Sequence, residues 1–160
     1  MIKIKIIALG KLKEGYLRQA AEEYLKRLSA FAKVETVELE PYKLSENPEL
    51  SEIQKALDTE GDMILKKLNP TDFVVAMCIE GSQMSSDELS HKMSCLINSG
   101  TGTFAFIIGS SFGLSQKVKS RANLKISFSK MTFPHQLFRI MLLEQIYRAF
   151  KIKQGSNYHK

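Results

Sequence analysis

Residues 101–113 read TGTFAFIIGSSFG, a turn, five consecutive apolar residues (104–108) and a loop punctuated by Gly109 and Gly113. A strand with one wet face would alternate apolar and polar side chains. An unbroken apolar run too short for a helix reads as a strand covered on both faces, which is the habit of parallel sheets flanked by helices. DFVVAMCI (72–79) reads the same way. These two runs set the expectation for everything around them.

Working outward, IKIKIIAL (2–9), KVETVELE (33–40) and LKISFS (124–129) have strand patterning. Between them lie helical stretches. Residues 14–31 place Leu17, Ala20, Ala21, Tyr24, Leu25 and Leu28 at helical spacing. A helix from about Pro48 to Leu68 closes at an Asn-Pro pair, with the proline suited to the first turn. Ser85 or Ser86, followed by Glu88, signals a capped helix that stops at Gly100. A short helix follows Gly113, and 134–153 forms the last one, with Pro134 in its first turn. Strand and helix alternate five times, which predicts an α/β sandwich with a mainly parallel sheet and helices on both faces. There is no internal repeat, low-complexity segment or linker, so residues 1–160 read as a single domain.

Composition narrows the class. Hydrophobic residues make up 44% and charged residues 25%, as in ordinary globular chains. No run approaches the ~18 apolar residues of a membrane span. The opening MIKIKIIALG carries lysines within a strand pattern and no small-residue cleavage site, so no signal peptide is expected. Cys78 and Cys95 lack metal-type spacing and read as two buried free thiols in a reducing cytoplasm. The net charge is +6 and the isoelectric point about 9.3. Acidic residues concentrate in 35–62 and basic ones in 117–160, pointing to a polyanionic partner, nucleic acid first.

In open α/β sheets ligands bind beyond the carboxyl ends of the strands. Three such ends carry unusual sequence: MCIEGS (77–82), IIGSSFG (107–113) and SFSKMTFPHQ (127–136). Neither a dinucleotide-binding G-x-G-x-x-G nor a phosphate-binding G-x-x-x-x-G-K-[ST] is present. The residues themselves lead to a cleft of three loops for a nucleotide-like molecule. His135 and Arg139, four apart, share a helix face beside the third loop. Arg148 pairs with Glu144 at the same spacing. Composition alone predicts a frayed tail over 153–160, although Tyr158 and His159 are side chains that can stack on or hydrogen-bond a base.

Three segments together, IKIIALGKLKEGY (4–16), FIIGSSFG (106–113) and KMTFPHQLFRIMLLEQIYRAFKIKQGSNYHK (130–160), resemble the SPOUT (α/β-knot) methyltransferases, in particular the bacterial enzymes that methylate N3 of a pseudouridine in 23S rRNA. The resemblance spans essentially the whole chain. It implies S-adenosylmethionine as methyl donor, no metal, a homodimer in the cytoplasm, and a substrate in the large ribosomal subunit or the assembled ribosome. It also implies a C-terminal trefoil knot, which periodicity would never suggest because threaded chains are nearly absent among folds. On this resemblance Phe128, Ser129, Lys130, Met131, Thr132 and Phe133 line the adenosine pocket together with Met77 and Gly109, and His135, Arg139, Tyr158 and His159 lie near the target nucleotide. The family commonly has a second glycine where this chain carries Ser110. Two other readings compete: a non-catalytic RNA-binding α/β module, and a nucleotide-binding oxidoreductase, which the missing glycine fingerprint disfavours.

Overall fold

The structure, a computed structural model, describes residues 1–159, and side chains as far as Tyr158. Five strands alternate with five helices: β1 (Ile2–Leu9), α1 (Gly15–Leu28), β2 (Ala32–Leu39), α2 (Leu50–Leu65), β3 (Phe73–Ser82), α3 (Ser86–Asn98), β4 (Thr103–Ile108), α4 (Gln116–Arg121), β5 (Leu124–Ile126) and α5 (His135–Lys153). A short 3-10 turn, Asn157–His159, follows. The strands form one sheet in the order β2-β1-β4-β3-β5, and every pairing is parallel.

The unbroken apolar run 104–108, in β4, lies between β1 and β3 and divides its side chains between two cores. Phe104, Phe106 and Ile108 pack with Leu17, Leu28, Leu89, Leu142 and Ile146 from α1, α3 and α5. Ala105 and Ile107 point to the other face, against Ile64 of α2 and Val118 of α4. Both faces are therefore dry, and alternation has nothing to report. The capping signal also holds: Ser85 caps α3 by accepting from the Glu88 amide, and Glu88 returns the bond to the Ser85 amide.

β5 is shorter than the sequence predicts. Its pattern continues to residue 129, but only Leu124–Ile126 join the ladder. Beyond them the Ser127 hydroxyl donates to the Ser129 carbonyl at 3.0 Å, and the Ser129 hydroxyl accepts from the Met131 amide at 3.0 Å. These local bonds satisfy the backbone in place of a neighbouring strand. β3 bulges where it meets the end of β5: Ile126 pairs with both Met77 and Ser82 across a register shift, and the Ser127 amide donates to the Ser82 carbonyl at 3.0 Å.

At the opposite end of the sheet, Lys5 and Asp72 form a buried ion pair of 2.8 Å. Lys5 also donates to the Lys67 carbonyl, and the same Asp72 oxygen accepts from the Asn69 amide. Burial raises the Asp72 pKa, but the Asn69 amide and the Lys5 ammonium outweigh it and hold the carboxyl below its ordinary value. A carboxyl depressed in the folded state contributes stability above its unfolded pKa and loses it as pH falls through the folded one. We therefore expect the thermal midpoint to fall on acidification below the ordinary aspartate range. Asp72→Asn should flatten that part of the profile while lowering stability at neutral pH; an unchanged acid limb in calorimetry would contradict the assignment.

Candidate active site

The carboxyl ends of β4, β3 and β5 open into one cavity of about 700 Å³. Each expected segment contributes. From β3 come Met77 to Glu80, from the loop after β4 Gly109 to Leu114, and from the loop after β5 Phe128, Ser129, Met131, Thr132 and Phe133, with His135 at the mouth. Lys130 is exposed and does not form part of the wall. Rings of Phe128 and Phe138, 4.8 Å apart, fasten the third loop to α5. In the second loop the Gly113 amide donates to the Ser110 carbonyl at 2.9 Å, closing a tight turn in which Gly113 has φ +88°. Only glycine occupies that conformation cheaply.

The wall is mostly apolar, and three of its side chains remain unusually open to water: Ile79 at 55%, Phe112 at 48% and Met131 at 75%. Such a rim suits a flat, largely apolar ligand, and the volume falls within the ~300–1,000 Å³ of small-molecule sites. The wall's charged members are Glu80 and Lys119, which pair with each other, and the Lys119 bond holds the Glu80 carboxyl below its usual range. Burial, assisted by Glu80, pushes the Cys78 thiol up, so it is a poor nucleophile at neutral pH. Cys95 is exposed rather than buried, 3.5 Å from His91 on the outer face of α3.

A second cavity of about 500 Å³ adjoins the first through Ile126 and Phe128, which line both. α1 supplies Tyr24, the start of α3 supplies Met84 to Ser86, and α5 supplies Ile140, Met141, Glu144 and Gln145. The tail ends beside it. Arg148 lies 4.9 Å over the Tyr158 ring and binds Glu144 at 2.6 Å, while Tyr158 packs edge-on against Tyr147 at 5.0 Å. Tyr158 is thus held in place, against the fraying that composition predicts, and the Arg148–Glu144 pair forms as its spacing implies. The side chain of His159 lies outside the described residues.

Arg139 is not part of either cavity wall. The helix turns it inward, where it is 5% exposed. Its guanidinium donates to Glu38 at 2.7 Å and to the Gly10 carbonyl at 2.8 Å, tying α5 to the ends of β1 and β2. Four residues before it, His135, the first residue of α5, is exposed. Shared helical spacing did not put the two on one site.

The sequence is matched from residue 2 to 159 by the model of the family described as "Predicted SPOUT methyltransferase". The chain belongs to the SPOUT methyltransferase family. Membership implies the C-terminal knot. Relatives in this family include Ribosomal RNA large subunit methyltransferase H of Streptococcus agalactiae serotype III (strain NEM316), 50% identical over 99% of this chain and 100% of the relative. Proteins of the same name from Bacillus cytotoxicus (strain DSM 22905 / CIP 110041 / 391-98 / NVH 391-98) and Streptococcus pneumoniae (strain CGSP14) are also 50% identical over the same shares. The SPOUT class uses S-adenosylmethionine as methyl donor in general, which suits the cavity at the three strand ends. Among the described residues no helix is long and apolar enough to cross a membrane.

Proposed function

We propose that this protein is a cytoplasmic methyltransferase that transfers a methyl group from S-adenosylmethionine to N3 of a pseudouridine in 23S rRNA, within the large subunit or assembled ribosome. Residues 1–160 act as one catalytic domain, working as a homodimer. The observation that carries the reading is the pair of joined cavities: a donor-sized one at the strand ends, and a second, between it and the Tyr158 tail, for the target nucleotide.

When bound, S-adenosylmethionine supplies a methyl on a sulfonium that needs no further activation. Met77, Gly109 and the loop 128–133 hold its adenosine, chiefly through backbone groups, since Phe, Met and Thr side chains read an adenine edge poorly. The chain's own contribution is then positioning, which is worth up to ~7–11 kcal/mol. A uracil-type N3 carries a proton at neutral pH. His135, at the cavity mouth, is placed to accept it at an imidazole nitrogen. Tyr158, braced by Arg148 and Glu144, offers a ring for the base, and His159 a second polar contact. Arg139 acts from behind, fixing the Gly10 loop. A second protomer covers the outward side of α5, where Leu137 is 43% exposed; Ile140 and Ile146 are occupied by the chain's own core.

The test is a titration of the full chain with S-adenosylmethionine, NAD and FMN, followed by transfer of labelled methyl to naked 23S rRNA, large subunits and ribosomes. We expect binding of the first ligand only, label in a ribosomal substrate, and a dimer in sedimentation of the same preparation. Donor binding with no transfer to any of the three would favour a non-catalytic RNA-binding module instead.

A further inference from the structure

Glu60 of α2 is 4% exposed, and no ion pair includes it among the described residues. A buried carboxylate without a cation is costly unless its oxygens are bound by donors. Here both are. Oε1 accepts from the Ser110 hydroxyl at 2.8 Å, and Oε2 accepts from the Tyr42 amide at 3.1 Å. The next residue reinforces the contact. A Cβ on Gly61 would lie 2.3 Å from Ser115 Oγ, so the helix backbone fits directly under Ser115. That serine caps α4 by accepting from the Val118 amide at 3.3 Å.

The Glu60–Gly61 step thus grips both ends of the segment 110–115, one by a charge-assisted hydrogen bond and one by close packing. Between the grips lies the turn Ser110–Gly113, which walls the larger cavity. The Ser110 hydroxyl is spent on Glu60, so it holds the turn and is not free for a ligand.

We propose that Glu60 is a positioning residue for the donor site: through Ser110 it holds the turn 110–113 in the shape that receives S-adenosylmethionine, touching neither donor nor substrate itself. The proposal rests on the reading of the larger cavity as the donor site. In Glu60→Ala and Ser110→Ala, donor Kd and KM should each rise about tenfold, the scale of one hydrogen bond to a charged group, with kcat at saturating donor moving far less. The double variant should bind no more weakly than the worse single one, because both remove the same tether. Glu60→Gln should stay near wild type, since its amide can accept from Tyr42 and donate to a rotated Ser110 hydroxyl.

Calorimetric titration of the four full-length variants, with melting temperatures measured alongside, decides the matter. Ser110→Ala loses a single hydroxyl and keeps the test valid even if Glu60→Ala misfolds. Wild-type affinity in Ser110→Ala, additive losses in the double variant, or a loss in Glu60→Gln as large as in Glu60→Ala would each overturn the tether. Failure of the unsubstituted protein to bind S-adenosylmethionine would instead overturn the reading of the cavity.

Discussion

Gly109→Ala should weaken S-adenosylmethionine binding by about 30-fold or more and leave a folded protein. The residue ends β4 and begins the loop that walls the cavity. A Cβ there would lie 2.4 Å from the Gly113 carbonyl oxygen, 2.7 Å from its carbon and 3.0 Å from Leu114 Cδ2. The first two contacts are backbone, so no rotamer change relieves them. Either β4 or the turn 110–113 must move, and β4 is locked between two strands in the middle of the sheet. The turn is the softer partner. Overpacking of this kind costs roughly 1–3 kcal/mol, and at 1.4 kcal/mol per tenfold, strain of ~2 kcal/mol that the bound state must reverse gives about 30-fold in affinity. Titration calorimetry with circular dichroism on the same sample checks both halves of the expectation. Undiminished affinity would remove the turn from the donor site.

What could be read in the sequence was whatever a local pattern encodes. The dry strands β3 and β4, the Ser85 capping box and the glycine loops were all legible, because each depends on residues within a few positions of one another. The extent of β5 was not. LKISFS alternates like a strand, yet Ser127 and Ser129 have hydroxyls that bond the backbone locally, and pattern alone does not say which partner wins. The tail misled in the opposite direction. Gly155, Ser156 and Asn157 look like fraying, but Tyr158 finds Tyr147 and Arg148 on the face of α5. Cys95 shows how an amphipathic helix hides its phase: two positions along the spiral separate a buried residue such as Met93 from an exposed thiol.

The candidate site divides along the same line. The three strand-end segments that meet at the larger cavity were legible because ligands collect at strand ends in parallel sheets, a rule that needs only the strands, whereas the particular residues Met77, Gly109 and 128–133 came from the resemblance. Residues whose importance lies in a distant partner left no local trace. Arg139 reaches Gly10 and Glu38, and Glu60 reaches Ser110, across most of the fold. Glu60 in particular reads as one more acid in LDTEGDMIL, with nothing to distinguish it from Asp58 or Asp62. The bulge of β3 against β5 was equally silent, since it depends on how two separate strands meet and not on what either prefers alone.

That bulge is where a single methyl group should damage the fold. At Gly81 a Cβ would sit 2.6 Å from the Ile126 carbonyl carbon, 2.7 Å from its nitrogen and 2.8 Å from the Lys125 carbonyl carbon. All three are main-chain atoms of β5. The strand has little room to retreat, because Ile126 is paired with both Met77 and Ser82 across the bulge. Ile126 also belongs to the main core and lines both cavities. Gly81→Ala should therefore destabilise by about 3 kcal/mol, at the upper end of overpacking costs, and lower the thermal midpoint by roughly 6–12 °C. Donor affinity should fall with it, because the loop 127–133 is carried on β5. Gly102→Ala is the control: a Cβ there meets nothing within 4 Å, so its effect should stay within about 0.5 kcal/mol. Equal melting temperatures for the two variants would mean that the bulge has room to spare, and that the close approach of β3 to β5 is not what holds the cavity's third loop in place.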